Sequence, residues 1–259
     1  MIIDVSQYQG AINWEQFISK LDFAILRASC GTKKDAQYKA NAKTLEEFNK
    51  PYHAYHYVRA KNALEARVEA QIFAEATKDT RPLFYVIDAE SSRIQDSNAK
   101  TVIDAFEDAL RMAAGNSIRV ALYIAHHKYR NWKLDYDHYE YVWIPRYGKN
   151  NGQPDKKPDY KCDLWQYTDK GKVDGIRGRV DMNALTGTKP MEFFTVHDVQ
   201  MNIPKYGDTG TVVIRLQQKL IELGYDLGKR GADGKYGKKT QEAVNKYETN
   251  TGKSIAGLI

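Results

Sequence analysis

Two carboxylates one residue apart, Asp88 and Glu90, close the apolar run Leu83-Phe84-Tyr85-Val86-Ile87. Aromatic and β-branched residues after Pro82, with a polar exit at Ser91-Ser92, predict a buried strand of a parallel sheet. Residues two apart on a strand share a face, so both carboxyls point the same way with Cα atoms about 6.5–7 Å apart. Held that close at the edge of an apolar core, they do not both ionise readily, and one pKa rises while the other stays ordinary. Such a split suits acid-assisted cleavage of a glycosidic bond. The plainer alternative is a turn cap at Asp88 and a solvated strand end at Glu90.

The elements around this pair set its position. Strands are expected over 2–5, 23–28, 53–58, 83–90 and 120–124, with helices over 14–21, 35–49, 63–77 and 99–114 between them. Strands alternating with helices mean βαβ units and a parallel sheet. After Tyr129 the rhythm changes, and strands over 141–144, 163–167 and 179–182 follow without evident helices. The fold expected is α/β, an irregular (β/α)5(β)3 TIM-like barrel followed by a small helical domain. In such a barrel reactive groups sit at the C-terminal strand ends, where Asp4 and Asp181 join Asp88 and Glu90. Closure would make the first and last strands neighbours, giving an acidic floor on both sides of the seam. Tyr55, Tyr57, Tyr123 and Trp143 occupy the second halves of strands and suit a glycan-lined cleft, since sugar rings stack on aromatic faces.

The 259 residues are 42% hydrophobic and 28% charged, an ordinary globular composition. Residues 1–188 are assigned to the barrel, 189–204 to a linker in which Phe193-Phe194 are too apolar to hang free, and 205–259 to two amphipathic helices joined by a glycine-rich turn. Net charge is +6, and residues 205–259 hold 10 Lys/Arg against 6 Asp/Glu, which suits an anionic wall polymer. No arginine-rich arm or nucleic-acid motif is visible, so nucleic acid is not an expected partner. No run reaches membrane-span length and no leader is evident. Cys30 and Cys162 read as two thiols rather than a disulfide framework. His126-His127 face opposite ways, and neither a metal nor any other cofactor is expected. Oligomeric state is not set by the sequence.

Six separated motifs carry a resemblance: Asp4-Val5-Ser6-x-Tyr8-Gln9-Gly10, Ala54-Tyr55-His56-Tyr57, Asp88-Ala89-Glu90, Trp143-Ile144-x-Arg146-Tyr147, Trp165-Gln166-Tyr167 and Val180-Asp181-x-Asn183. Together they resemble glycoside hydrolase family 25, the lysozymes often found as bacteriophage endolysins, over residues 1–188. The C-terminal part resembles the type 1 peptidoglycan-binding module through Gly210, Val213, Leu216-Gln217, Leu220, Gly224-Tyr225, Asp233-Gly234-x-Tyr236-Gly237, Thr240 and Ala243-Val244. That family continues into a final helix, which this sequence, ending at Ile259, does not supply. The resemblance implies cleavage of the β-1,4 bond from N-acetylmuramic acid to N-acetylglucosamine without a cofactor. Glu90 would be the general acid, Asp88 would orient the substrate's acetamido group, and Asp4 and Asp181 would set the charge of the floor. The attacking group is either the acetamido oxygen or a directly activated water. A chitinase-type barrel would need carboxylates at positions 83 and 86, which are Leu83 and Val86; a non-catalytic wall-binding protein is the other alternative. An endolysin of this kind is expected to be made in the host cytoplasm and to reach the wall after release by a holin-type agent.

Overall fold

The computed structural model describes residues 1–196, 204–252 and 255. They fall into two compact units, Met1–His197 and Asp198–Ile259. In the first, eight strands close a barrel in the order β1 (Ile2–Val5), β2 (Phe23–Cys30), β4 (Tyr52–Tyr57), β5 (Tyr85–Ala89), β6 (Val120–Ile124), β7 (Val142–Pro145), β8 (Leu164–Gly171) and β9 (Val180–Leu185). A two-residue strand, β3 (Lys33–Lys34), folds back on β2 outside the ring. Neighbours run parallel from β1 through β8, whereas β9 is antiparallel to both β8 and β1. The expected barrel is therefore present, and its last strand runs in reverse. The eight residues joining β8 to β9 are too few for the crossover that a parallel partner requires.

Helices α1 (Tyr38–Glu47), α2 (Ala63–Thr77) and α3 (Ala99–Ala114) cover the outside of the barrel. Asn62 caps α2 by accepting from the Glu65 amide at 2.9 Å, and Gly115, at φ +107°, ends α3. Helix 14–21 is a correction: the segment forms two 3-10 turns, Trp14–Gln16 and Ile18–Lys20, with Phe17 off helical geometry between them. Eight residues are too short to hold a helix alone, and burial of Trp14, Phe17 and Leu21 decides their conformation. A short helix, α4 (Tyr129–Trp132), also appears where none was expected.

Strand alternation separates two cores. Ile87 and Ala89 point outward to Phe73 of α2 and Phe106 of α3, while Phe84 and Val86 fill the barrel interior. The segment expected as linker from 189 instead carries α5 (Met191–Thr195), whose Phe194 is fully buried and stacks on Phe23 at 5.7 Å. His53 ties this plug in place. Its Nε2 donates to the Phe194 carbonyl at 2.8 Å, so Nδ1 accepts from the Tyr141 hydroxyl, also at 2.8 Å. Burial drives the His53 pKa down to about 3, so the ring is neutral.

The second unit packs α6 (Thr211–Glu222) and α7 (Lys238–Thr251) around Val213, Leu216, Leu220, Tyr236, Val244 and Tyr247. Buried Gln217 staples the glycine-rich turn: its amide donates to Asp233, Lys235 and Thr240, and its oxygen accepts from Gly234 at 2.8 Å. Gly234 sits at φ +74°, and a Cβ there would come within 2.9 Å of Ile214, so only glycine fits. The question of a final helix falls mostly on residues outside those described.

Candidate active site

Inward positions of the barrel strands are apolar at one end and polar at the other. On β1 the inward pair is Ile2 then Asp4; on β2 it is Phe23, Ile25, then Arg27; on β5 it is Val86 then Asp88. Alternation therefore lifts Asp4, Arg27 and Asp88 to one rim above a dry floor. Glu90 lies one residue past β5 and faces the same opening, and Asp181 reaches it from the start of the reversed β9. Asp181 thus stands at an N-terminal strand end, not the C-terminal end expected. Asp4, Asp88, Glu90, Asp181, Tyr55, Tyr57, Tyr123 and Trp143 all line one cavity of about 250 Å3.

Fixed polar side chains hold the floor. Asp4 accepts from Gln166 Nε2 at 3.0 and 3.1 Å and from Asn183 Nδ2 at 2.8 Å. Asn183 Oδ1 in turn accepts from the Trp143 indole at 2.9 Å, while Gln166 Oε1 accepts from the hydroxyls of Tyr123 at 3.0 Å and Tyr147 at 2.7 Å. Each amide donates to the carboxylate and accepts from an aromatic, so neither can flip without losing bonds. Tyr123 packs edge-on against Trp143 at 4.5 Å, and Tyr55 does so at 6.4 Å.

All four acids are pushed above their ordinary range, first by burial. Burial pushes Asp181 up to about 9 and Asp4 to about 6, and the charge of Asp4 and a hydrogen bond back to it add to the rise at Asp181. Asp88 rises well above normal through burial and then the charge of Glu90, with Arg27 opposing. Its Oδ1 is buried without a hydrogen-bond partner in the protein. A buried carboxyl oxygen left open in a cavity wall is an acceptor for something that enters the cavity. Glu90 is raised by burial and by Asp4, while the Tyr123 hydroxyl and Lys128 pull it back.

Arg27, Gln166, Asn183, Tyr147 and Tyr8 were not among the expected site residues. Arg27 carries a usable signal, as the single charge inside the apolar strand Phe23–Cys30. It is braced by Asp35 Oδ2 at 2.8 Å. Among the described residues no cluster of three His, Cys, Asp or Glu could hold a metal, and no helix is long and apolar enough to cross a membrane. Cys30 and Cys162 are free thiols; Cys162 is buried and Cys30 half-buried. In the second unit a hollow of about 550 Å3 is lined by Lys229, Arg230, Lys235, Lys238 and Lys239 beside the glycine-rich turn.

Raised carboxyls at the polar mouth of an eight-stranded barrel, walled by aromatics, define a glycoside-hydrolase site. The chain belongs to glycosyl hydrolase family 25, whose model matches residues 3–176, and it is a peptidoglycan hydrolase of that lysozyme family. Residues 209–252 match a putative peptidoglycan binding domain. Lysozyme M1 of Streptomyces globisporus is 28% identical over 72% of this chain and 67% of its own length. The catalytic domain of endolysin ply40, from bacteriophage P40 of Listeria monocytogenes, superposes with a TM-score of 0.65 at 29% identity, covering 71% of this chain and 92% of that one. GHIP, a glycosyl hydrolase 25 of Streptococcus pneumoniae, gives a TM-score of 0.67 at 27% identity over 74% and 88%.

Proposed function

We propose that the chain is an N-acetylmuramidase, cutting the β-1,4 bond between N-acetylmuramic acid and N-acetylglucosamine. The open Oδ1 of buried Asp88 carries this reading, because an N-acetyl sugar presents an amide N–H that such an oxygen can accept. Glu90, whose carboxyl is raised above its ordinary pKa by burial, gives its proton to the bridging oxygen as the bond to the anomeric carbon breaks. The acetamido oxygen attacks that carbon and forms a cyclic oxazolinium ion, with its N–H held by Asp88. Water then attacks the same carbon, returns a proton to the Glu90 carboxylate and reopens the ring. Asp4 and Asp181 share one proton below the sugar, and so limit the negative charge facing the developing cation.

The basic hollow beside the glycine-rich turn supports capture of peptidoglycan, and of other anionic wall polymers, by the second unit. Likeness to the ply40 endolysin supports a bacteriophage lysis role, with synthesis in the host cytoplasm and access to the wall after holin-type release. Wall lysis by Glu90→Gln tests the catalytic claim. We expect a fall of about 10³-fold with retained thermal stability and wall binding; lysis at the wild-type rate would refute it and favour a wall-binding protein.

A further inference from the structure

The catalytic cavity does not end at the scissile sugar. On the β6 side Tyr123 closes against Trp143, but on the β4 and β2 side the hollow runs on past Tyr57 and Arg27. A space of about 360 Å3 follows, lined with Arg59 and Arg93, and then a groove of about 710 Å3 that also has Tyr8 and Arg27 in its wall. The groove carries more positive charge than it neutralises. Its acids are engaged: Asp35 by Arg27 at 2.8 Å, Glu69 by His56 at 3.1 Å and the Arg59 amide at 2.8 Å, and Glu65 by the Lys61 amide at 2.9 Å. Arg59 and Lys33 are exposed, and Arg93 spends only its Nε, on the Arg59 carbonyl at 2.9 Å. The same groove is also lined by Leu64 and Val68, one turn apart on α2, which stand 72% and 44% exposed.

We propose, resting on the muramidase reading above, that this groove holds the stem peptide of the muramic acid being cleaved. Muramic acid carries its lactyl ether, and through it the peptide, on the carbon next to the acetamido group. With the acetamido at Asp88 and the β6 side closed, the substituent leaves past Tyr57 and Arg27 into the groove. Stem peptides offer carboxylates and alanine methyls, which match the cations Arg59, Arg93 and Lys33 and the apolar Leu64 and Val68 that line the groove together. A phosphate polymer would also meet the cations, but it is not tethered to the reacting sugar at this point and has no use for the apolar wall.

The test uses the full chain and two substrates: peptidoglycan freed of teichoic acid, and the same glycan stripped of peptides by an amidase. Release of reducing ends is measured for wild type, for the Arg59→Gln/Arg93→Gln double variant, and for Arg59→Lys/Arg93→Lys. On peptide-bearing glycan kcat/KM falls about tenfold in the Gln variant and recovers most of that loss in the Lys variant. On stripped glycan the Gln variant stays within about twofold of wild type, which also shows that it folds. An equal loss on both substrates, or no loss on the peptide-bearing glycan freed of teichoic acid, overturns the assignment. If wild type releases no ends from either substrate, the muramidase reading itself fails and the peptide groove falls with it.

Discussion

Asp4 of β1 and Asp181 of β9 are direct cross-strand partners in the antiparallel pair that closes the barrel. Two like charges opposite one another are unfavourable in any sheet, and here the pair is also removed from water. The strain is relieved by a proton on Asp181 that bonds to Asp4.

Asp181→Asn keeps a donor toward Asp4 and removes the repulsion. A carboxyl whose folded pKa is raised favours the fold below its ordinary value, and that benefit is lost as pH rises through the raised one. The variant is therefore more stable than wild type by about 1 kcal/mol near pH 8, and no more stable near pH 4. Thermal unfolding at the two pH values checks this, and activity falls because the charge of the floor has changed.

The pH profile follows Glu90. As general acid it works only while protonated, so kcat/KM declines as pH rises through its elevated pKa, above the ordinary carboxylate range. Lys128→Gln removes a positive charge that lowers this pKa, so the alkaline limb moves to higher pH. A limb unmoved or shifted to lower pH in the variant would contradict the assignment.

His53 ties acid stability to the barrel floor. Its folded pKa of about 3 lies below the ordinary 6.5, so the unfolded chain binds the extra proton, and stability present above about pH 6.5 is lost as pH falls toward 3. The loss reaches on the order of 4–5 kcal/mol. His53→Phe flattens that acid limb while lowering neutral stability by about 1–3 kcal/mol, because the Tyr141 hydroxyl and the Phe194 carbonyl lose their partner. Denaturant titrations across this range measure both effects.

Helix α5 is part of the catalytic unit. A catalytic unit cut after residue 188 loses Phe194 from its stack on Phe23 and uncovers His53. It is less stable than one ending at 196 by about 3 kcal/mol or more, the scale of emptying a buried phenylalanine site. Equal unfolding midpoints for the two would show that α5 is dispensable.

Much of this was legible because a strand has a period of two. Once Val86 is placed inside, Asp88 must be inside as well, and the same reasoning brings Asp4, Tyr55, Tyr123 and Trp143 to one rim. Strand direction was less accessible: Asp181 was placed at the right mouth for the wrong reason, since only the short β8 to β9 connection hints that the strand reverses. Gln166 and Asn183 are polar residues within strands, and nothing local shows that their amides would bridge Asp4 to the aromatics. The 14–21 segment misled because its apolar spacing fits a helix, while tertiary burial of Trp14 and Phe17 settles for shorter turns.

Chemical identification of the new reducing end tests the central claim most directly. Peptidoglycan digested by wild type and by Glu90→Gln is reduced with borohydride, hydrolysed and analysed by mass spectrometry. The account predicts muramitol from wild type and essentially none from the variant; glucosaminitol, or equal muramitol from both proteins, would contradict it.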